Sequence, residues 1–300
     1  MKLVALDASN AGAVERLLSE PTLSSAFEGL ARPGGVVEEL SFPHLDRDGT
    51  RVAHVDGEVA AFALVYTLPV AGSALRWALI SIGVGERFRR RGLADGLLAH
   101  AIETLRRPGI EEITLSGWLP AEGCAALAER HGFGVARHFW LMERRLGGMA
   151  EPAWPAGLEP RTFGGTDRDI DDLNVVYNDS FADHYHFVPG SDAETRDLVA
   201  GELFRADGLA MSYRGERCVG FCRCTLLPAR GEISMLGTAR EARGLGLGRA
   251  FLRWGVRWLE REGAKRVTLV VDGENESALR LYRQEGFEVA RTRRVWSRRP

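Results

Sequence analysis

The stretch Glu232 to Leu252, E-I-S-M-L-G-T-A-R-E-A-R-G-L-G-L-G-R-A-F-L, decides how this chain folds. An apolar, strand-like run ends at Thr238, a short polar turn follows, and a glycine-rich segment leads directly into an amphipathic helix. Free backbone N–H groups and the positive end of a helix dipole therefore meet at one point. This arrangement predicts a phosphate-binding site at the start of the helix.

The glycine pattern separates this loop from two other phosphate-binding motifs. A dinucleotide fingerprint requires G-x-G-x-x-G, but Arg249 stands at the third glycine position and the loop lies late in its domain. A P-loop requires G-K-[ST] and is excluded. Arg243, Gly246 and Gly248 instead form R-x-x-G-x-G, in which glycines without Cβ atoms let a pyrophosphate approach the backbone.

An earlier segment of the chain repeats this plan. The stretch 88–98, F-R-R-R-G-L-A-D-G-L-L, parallels the glycine loop, with Arg91 opposite Arg243 at an offset of 152 residues. Further on, Gly132 matches Gly286 at an offset of 154 residues. Two nearly equal offsets predict a duplicated domain rather than one large fold.

The repeat predicts two α/β domains, each with a central mixed, mostly antiparallel sheet and helices on both faces. Residues 147–157 are rich in Gly and Pro and are the predicted linker between an N-terminal domain, 1–146, and a C-terminal domain, 158–300. Each domain is expected to end by completing its own sheet. In the first domain, residues 133–143 are expected to form a strand pair or bent hairpin. In the second, residues 287–296 are expected to finish the sheet.

Composition limits the function. Three hundred residues with 45% apolar and 27% charged residues are ordinary globular material of about two domains. A net charge of −2 gives no global basic field, which argues against a nucleic-acid binder. No apolar run reaches the ~20 residues that span a bilayer, and the N-terminus does not match a signal peptide. We expect a cytoplasmic protein, monomeric or homodimeric, with neither membrane nor nucleic acid as a partner.

The four cysteines predict neither a disulfide framework nor a metal site. Without a secretory signal, a disulfide framework is not expected. Cys218, Cys222 and Cys224 have the even spacing of residues on one side of a strand, and no C-x-x-C motif with further ligands accompanies them. We expect them to be small buried residues.

The two motifs resemble the GNAT superfamily of acyl-CoA-dependent N-acetyltransferases. Its acetyl-CoA signature, Q/R-x-x-G-x-G/A, stands here as R-G-L-G-L-G, and its second signature is similar to N-E-S-A-L-R-L-Y-R-Q-E-G-F at 275–287. The tandem layout is similar to that of the mycothiol synthases within the superfamily. The resemblance implies acetyl-CoA as donor substrate, no metal, and direct attack of a small molecule's primary amine on the thioester in the C-terminal half.

The resemblance also implies where the donor binds. The fourth strand of the second half, 233–238, is expected to splay from the fifth so that the pantetheine lies between them. Backbone groups near Leu236 and Gly237 would then hold the thioester and its oxyanion. The predicted donor-binding residues are Leu236, Gly237, Thr238, Arg243, Gly244, Leu245, Gly246, Leu247, Gly248, Arg249, Asn275, Ala278 and Tyr282.

Acetyl transfer requires a base for the amine and an acid for the departing thiolate. Tyr282 is the predicted acid, because a phenol of pKa ~10 held against the sulfur can protonate a thiolate of pKa ~8.5. Glu232, at the head of the fourth strand, is the predicted base. A histidine near residue 184 is an alternative base, titrating near pH ~6.5. The candidate acceptor pocket consists of Asp183, His184, Tyr185 and His186.

The first half lacks part of this chemistry. In the alignment above, Ala94 replaces a glycine and Asp95 takes the place of Leu247, while Ala121 and Ala128 stand where the second half has Asn275 and Tyr282. We therefore predict a degenerate first half, and whether it binds CoA stays open. Its candidate CoA residues are Ile82, Val84, Arg91, Gly92, Ala94 and Gly96.

Two alternatives to a small-molecule acetyltransferase stay open. One is a non-catalytic module that binds acyl-CoA in regulation, and the other is an enzyme that acetylates proteins or peptides. The presence of both Glu232 and Tyr282 in one half favours an enzyme.

Overall fold

A computed structural model of the chain describes residues 1–70, 73–120, 122–227 and 230–300. Their contacts form two compact units. Unit 1 comprises Met1–His138 together with Arg293–Pro300, and unit 2 comprises Phe139–Thr292. The units follow spatial contacts, whereas the boundaries 1–146 and 158–300 follow the sequence repeat, and the latter stay a prediction.

Unit 1 is built on the first sequence repeat. Its strands are β1 (Lys2–Ala5), β2 (Arg51–Val55), β3 (Glu58–Pro69), β4 (Arg76–Val84) and β5 (Ile110–Trp118). Its helices are α1 (Ala8–Leu18), α2 (Pro21–Ala26), α3 (Gly35–Glu39), α4 (Leu93–Leu105) and α5 (Glu122–Arg130).

The sheet of unit 1 is mixed, as predicted. Strands β1 to β4 pair antiparallel in chain order, and β4 pairs parallel with β5. The β2–β3 hairpin turns at Asp56 and Gly57, whose φ values of 52° and 83° are those of the D-G turn that the sequence indicates.

Unit 2 repeats this order. Strand β6 (Gly134–Arg145) enters it, followed by β7 (Pro160–Thr162), β8 (Leu209–Arg214), β9 (Arg217–Leu227), β10 (Arg230–Thr238), β11 (Arg266–Asp272) and β12 (Glu288–Arg298). Its helices are α6 (Asp167–Phe181), α7 (Asp192–Ala200), α8 (Leu247–Arg261) and α9 (Glu276–Gln284). Strands β7 to β10 pair antiparallel in chain order, and β10 pairs parallel with β11.

The final strand of each sheet corrects the sequence prediction. Residues 134–145 form one continuous strand, not a strand pair, and Phe139–Arg145 pairs with β11 of unit 2. Arg293–Arg298 of β12 pairs with β5 of unit 1. Trp296 is accordingly buried in the core of unit 1, and Met142 in the core of unit 2. Each sheet is thus completed by the last strand of the other sequence repeat.

Helix α8 lies close against strand β9 because small residues line the contact. A Cβ atom on Gly255 of α8 would lie 3.0 Å from the Sγ atoms of both Cys222 and Cys224. Both cysteines are buried, and so is Cys218, as the sequence predicted for small strand residues. The contact fixes α8, and with it the glycine loop at its start, against the centre of the unit 2 sheet.

Candidate active site

Strand β10 leaves its parallel neighbour soon after it begins. Within the part of the chain that the structure describes, β10 pairs with β11 only at Gly231 and Glu232. The residues from Ile233 to Thr238 therefore border a gap between the two strands, which confirms the predicted splay.

A β-bulge lies at the start of this gap. Ile233 pairs with Cys224, and the next paired residue, Met235, lies opposite Arg223, so Ser234 is the extra residue. The equivalent strand of unit 1, β4, pairs with β3 in an unbroken register. Bulges are common beside active sites because they redirect side chains and free backbone groups. This bulge distinguishes the second half from the first, and no local sequence pattern indicated it.

The unit 2 sheet presents two different faces at the gap. A Cβ on Gly248 at the start of α8 would lie about 4 Å from both Leu236 and Thr238, so these two residues face the glycine loop. A Cβ on Gly237 would instead contact Ser180 of α6. Glu232 lies opposite Thr225 and shares the α6 face. The predicted base and the predicted donor loop therefore lie on opposite faces of β10, with the gap beside them.

The glycine loop has the geometry of an anion cradle. Gly244 and Gly246 have φ values of 79° and 88°, a conformation that disfavours any other residue. Among the described residues, no group accepts a hydrogen bond from the backbone N–H groups of 244–248. The N–H groups of Arg249 and Ala250 are already bonded to the Gly246 carbonyl, at 3.1 Å each. Five successive free donors at a helix N-terminus suit a pyrophosphate.

The structure corrects the alignment of this loop with the first half. Helix α4 begins at Leu93 after Gly92 with φ 74°, just as α8 begins at Leu247 after Gly246. Arg90 has φ 59° and occupies the position of Gly244. The offset is therefore 154 residues here too, and not 152.

With the corrected offset, Arg89 matches Arg243, Ala94 matches Gly248, and the first half reads R-x-x-G-x-A. Its loop keeps the full signature, whereas the earlier alignment made it appear broken. Arg91 falls opposite Leu245, and Gly96, which contacts Met1, falls opposite Ala250. In the alignment, Ile82 matches Leu236 and Val84 matches Thr238. Both lie in the part of β4 that extends past its last pairing with β5. Whether the first half binds CoA stays open.

The same alignment shows one interhelix contact with opposite charges in the two halves. In unit 1, Asp95 of α4 accepts hydrogen bonds from Arg130 at 2.9 Å and from His131 at 3.3 Å. In unit 2, the matching residue Arg249 donates to Gln284 and Glu285. Burial raises the pKa of Asp95, but the bonds from Arg130 and His131 outweigh it and leave that pKa below its usual range. Asp95 therefore pairs with residues at the end of α5.

Glu285 is the buried centre of this contact in unit 2. Its side chain is 5% exposed and also accepts two hydrogen bonds from Arg253, each 2.9 Å long. Burial raises the pKa of Glu285, but the Arg253 and Arg249 guanidiniums more than offset it and hold the pKa below its usual range. The structure thus places the Arg249 side chain between α8 and α9, whereas the sequence assigned it to the donor.

Arg243 is fixed to helix α6. Its guanidinium donates to the Ser180 carbonyl at 3.0 Å and lies 3.5 Å from Asp183, which also binds Arg240 at 2.5 Å. Asp183 was predicted to line the acceptor pocket and Arg243 to bind the donor. The structure brings the two side chains together as an ion pair beside the loop.

The remaining acceptor-pocket candidates contact aromatic rings. His184 packs edge-on against Phe181 at 4.7 Å, and Tyr185 stacks on His186 at 3.8 Å. His186 has a φ of 53°, which is uncommon for a residue with a side chain. The segment is ordered by these contacts, and its part in acceptor binding stays a prediction.

Tyr282, the predicted acid, lies on helix α9. It is a buried residue of α9, and burial first, together with the nearby Cys222, raises the pKa of its hydroxyl above the usual value. Cys222 lies opposite Leu236 on the donor face of the gap. The raised pKa keeps the hydroxyl protonated at neutral pH, so it can act as a hydrogen-bond donor. In the first half the matching position is the buried Ala128.

Asn275 caps the helix that carries Tyr282. Its Oδ1 atom accepts hydrogen bonds from the Ala278 N–H at 3.1 Å and the Ser277 hydroxyl at 3.0 Å. Two predicted donor-binding residues, Asn275 and Ala278, are thus bonded to each other in an N-cap. The matching residue of the first half, Ala121, lies outside the described residues.

Glu232 shares its face of the sheet with two arginines. Its side chain is 30% exposed and lies 3.8 Å from the Arg230 guanidinium. Burial lowers the pKa of Arg223, and the nearby charge of Glu232 opposes that change. By strand register the first half has Leu79 at this position, because Thr268 beside Glu232 corresponds to Thr114 beside Leu79. The predicted base and acid therefore both have apolar counterparts in the first half.

Three functional candidates were not found from the sequence. Ser180 of α6 is buried, and Arg223 on the facing side of the sheet is half-buried. The Ser180 Oγ and Arg223 Nε atoms are buried and have no hydrogen-bond partner among the described residues. Glu285 is the third. A signal existed for Arg223, which is a cation between two cysteines in the interior of a mostly apolar strand.

Searches for a metal site and for a membrane span gave no candidate. Among the described ranges, no three His, Cys, Asp or Glu side chains are grouped so that they could hold a metal ion. In the same ranges, no helix is long and apolar enough to cross a bilayer.

Comparison with known proteins follows the two repeats. The chain matches the acetyltransferase (GNAT) family over residues 20–133 and again over 173–287. It is 30% identical to a mycothiol acetyltransferase of Geodermatophilus obscurus, with 94% of this chain and 92% of the relative covered. It is also 30% identical to a mycothiol acetyltransferase of Actinosynnema mirum, with 94% of each chain covered.

Solved structures with the same fold have lower sequence identity. A tandem GNAT protein from the clavulanic acid biosynthesis pathway has a TM-score of 0.75 at 20% identity, with 99% of this chain and 98% of that chain covered. A GCN5-related N-acetyltransferase from Sphaerobacter thermophilus has a TM-score of 0.68 at 24% identity, with 99% and 95% covered. These two similarities support the fold alone.

Proposed function

This chain belongs to the GNAT family of acetyltransferases, and from that premise we propose that its second half carries the active site and acetylates the primary amine of a small molecule. The family uses acetyl-CoA as acetyl donor, and the chain is an N-acetyltransferase. The proposal concerns which half reacts, which residues do the chemistry and what kind of acceptor binds.

One observation carries the choice of half. Around the gap beside β10, the second half has a glycine loop with five free N–H donors, a buried tyrosine and a carboxylate. The first half keeps the loop but has Leu79 and Ala128 where the second has Glu232 and Tyr282. A half that binds a thioester without an acid or a base can hold the donor but gives little help to the reaction.

The donor would lie on the α8 face of the gap. Its pyrophosphate would accept hydrogen bonds from the loop amides of 244–248, where the helix dipole also favours negative charge. The pantetheine would run along β10 past Leu236 and Thr238, on the edge of the strand that is not paired with β11. This places the thioester close to Tyr282.

The acceptor amine would approach from the α6 face, where Glu232 lies. An alkylammonium with a pKa near ~10 must lose a proton before it can attack. Glu232 takes that proton through water, because it lies three register positions, or roughly 10 Å at ~3.3 Å per residue, from Leu236 along the strand. The amine nitrogen then forms a bond to the carbonyl carbon, and the negative charge passes to the carbonyl oxygen.

Collapse of the tetrahedral intermediate breaks the carbon–sulfur bond. The nitrogen loses its second proton to water and becomes the amide nitrogen, and the sulfur leaves as a thiolate. Tyr282 donates a hydrogen bond to that sulfur and passes it a proton, which the phenol regains from solvent. Burial of Tyr282 makes this transfer unfavourable unless the sulfur lies against the hydroxyl, so the step depends on close contact.

The curated relatives fit a small acceptor, because mycothiol acetyltransferases are named for a small molecule. The proposal does not extend to mycothiol itself, since the segment 183–186 and the cations near Glu232 are features of this chain that must be tested with substrates. The cytoplasmic location and the monomeric or dimeric state stay predictions.

A thiol-release assay tests the proposal. Purified protein is given acetyl-CoA and each member of a panel of small primary amines, peptides and an amine-free blank, and free CoA is followed with a thiol reagent. We expect turnover with at least one small amine above the blank. Tight acetyl-CoA binding without turnover of any amine would favour the regulatory module, and turnover of peptides alone would favour a peptide acetyltransferase.

A further inference from the structure

Arg223 occupies a position on the acceptor side of the site. Along β9 the side chains alternate, so that Gly220, Cys222 and Cys224 face α8 while Phe221 faces Phe181 of α6. Arg223 falls on the α6 face, directly opposite Met235, the residue after the bulge. It therefore shares its face with Glu232.

The guanidinium of Arg223 has donors that the protein does not use. Its Nε atom is buried without a hydrogen-bond partner, and in the described residues no group accepts a hydrogen bond from either of its other nitrogens. A buried donor that lacks an acceptor costs roughly 1–3 kcal/mol. Burial also lowers the pKa of Arg223, and the charge of Glu232 offsets only part of that change.

Glu232 does not account for these donors. Its carboxylate lies beside Arg230, at 3.8 Å, and affects Arg223 through charge alone. A half-buried guanidinium whose donors lack acceptors favours an anionic partner.

On the basis of the function proposed above, we propose that the acceptor is an amine that also bears an oxyanion, a carboxylate or a phosphate ester, and that Arg223 binds this oxyanion. The two terminal nitrogens form the fork that matches two oxygens of such a group. These terminal donors then gain acceptors when the substrate binds.

The strand spacing limits the size of the acceptor. Arg223 is level with Met235, which lies two residues before Gly237 on the same face, or about 7 Å along the strand. An oxyanion held by Arg223 therefore lies a few bonds from an amine at the thioester. Short amino acids and aminoalkyl phosphates have this spacing.

Matched pairs of amines test the proposal. The pairs are glycine with glycinamide, 4-aminobutanoate with 4-aminobutanamide, and 2-aminoethyl phosphate with 2-aminoethanol, and kcat/KM is measured for each by CoA release. In the natural protein we expect the anionic member of at least one pair to be preferred by about 10- to 100-fold, which is the effect of one hydrogen-bonded charge pair. The pairs also distinguish a carboxylate from a phosphate.

The variant Arg223→Gln isolates the residue. The ratio of the two kcat/KM values within the preferred pair is expected to fall to about 1, whatever happens to the absolute rates. Arg217→Gln is the matched control, because Arg217 lies on the same strand but is exposed and paired with Glu241. The ratio should keep its natural value in that control.

Each outcome bears on one proposal only. If the natural protein turns over neutral amines as well as anionic ones, or if Arg223→Gln keeps the natural ratio, the assignment of Arg223 is overturned while the proposed function stands. If no amine of any kind is acetylated, the proposed function itself fails. If Arg223→Gln does not fold, Arg223→Lys replaces it, because lysine retains the charge without the fork. We expect this variant to give an intermediate ratio of the two kcat/KM values. An unchanged ratio would equally overturn the assignment.

Discussion

Removal of the Glu285 carboxylate should loosen helix α8 from helix α9. This carboxylate accepts one hydrogen bond from Arg249 at 2.7 Å and two from Arg253 at 2.9 Å, and its side chain is only 5% exposed. Helix α8 follows the glycine loop, and helix α9 carries Tyr282. The contact therefore sets the distance between the donor cradle and the proposed acid.

The size of the effect follows from the exposure of the partners. Removing one member of a buried ion pair costs about 3–5 kcal/mol when the other charge stays buried. Here Arg249 and Arg253 are 42% and 22% exposed, so water recovers part of their solvation once the carboxylate is gone. We expect Glu285→Ala to lower the local free energy of unfolding by about 2–4 kcal/mol at pH 7.

The effect should depend on pH in a defined direction. The pKa of Glu285 in the folded protein lies below its value in the unfolded chain, because the two arginines outweigh burial. Such a group stabilises the fold above the unfolded pKa of about 4.3, and the stabilisation disappears as pH falls through the folded pKa. The difference between the natural protein and Glu285→Ala is therefore greatest at pH 6–8 and shrinks below about pH 4.

Hydrogen exchange of peptides from α8 and α9, followed under native conditions and in urea, measures this local stability. Asp95→Ala is the matched control, because the equivalent contact in unit 1 has a carboxylate that is 40% exposed and should contribute under about 1 kcal/mol. The reasoning is refuted if Glu285→Ala changes the exchange of α8 and α9 by less than about 0.5 kcal/mol, or by no more than Asp95→Ala changes unit 1.

Three further changes have defined outcomes. Gly246→Ala must place a Cβ at φ 88°, so it should destabilise the loop by about 1–2 kcal/mol and weaken acetyl-CoA binding. A Cβ at Gly248 has space, so Gly248→Ala should bind acetyl-CoA with a Kd within about threefold of that of the natural protein. Calorimetry measures both affinities. Trp296→Ala should lower the free energy of unfolding of unit 1 by about 3–5 kcal/mol, seen as faster hydrogen exchange in unit 1 than in unit 2. Faster exchange in unit 2 alone would contradict the strand pairing. Because burial raises the pKa of Tyr282, the rate at saturating acetyl-CoA should not fall between pH 8 and 10 through its ionisation, and Tyr282→Phe should lower the plateau of the pH profile without shifting its limbs.

Local sequence patterns predicted the elements of each half well. The glycine loop, the D-G hairpin and the amphipathic helices depend on contacts between residues close in the chain. The gap beside β10 was also predicted, although only through the family resemblance.

The assignment of the last strands was wrong because it depends on pairing over a long sequence distance. Residues 139–145 and 293–298 are both alternating strands that follow a helix, and either could complete either sheet by pattern alone. The choice rests on packing, such as that of Trp296 in the core of unit 1, and no local signal encodes it.

The alignment of the glycine loops failed for a related reason. Matching R-G-L in both loops is the best match by letters, but the backbone requires residues with positive φ to coincide, and an arginine, Arg90, takes the position of Gly244. Arg249 and Asn275 illustrate a second limit. Both were assigned to the donor from their positions in the motifs, yet their side chains form an ion pair and a helix cap that only the surrounding structure reveals.

The central claim is that the second half performs acetyl transfer with Glu232 and Tyr282. The most direct test follows the acetylated amine by mass spectrometry under single-turnover conditions, with the natural protein and with the double variant Glu232→Gln, Tyr282→Phe. The account predicts that the double variant, saturated with acetyl-CoA, forms product at least about 1,000-fold more slowly, since each group supplies roughly 100-fold or more. Product formation at more than one-tenth of the natural rate would contradict it.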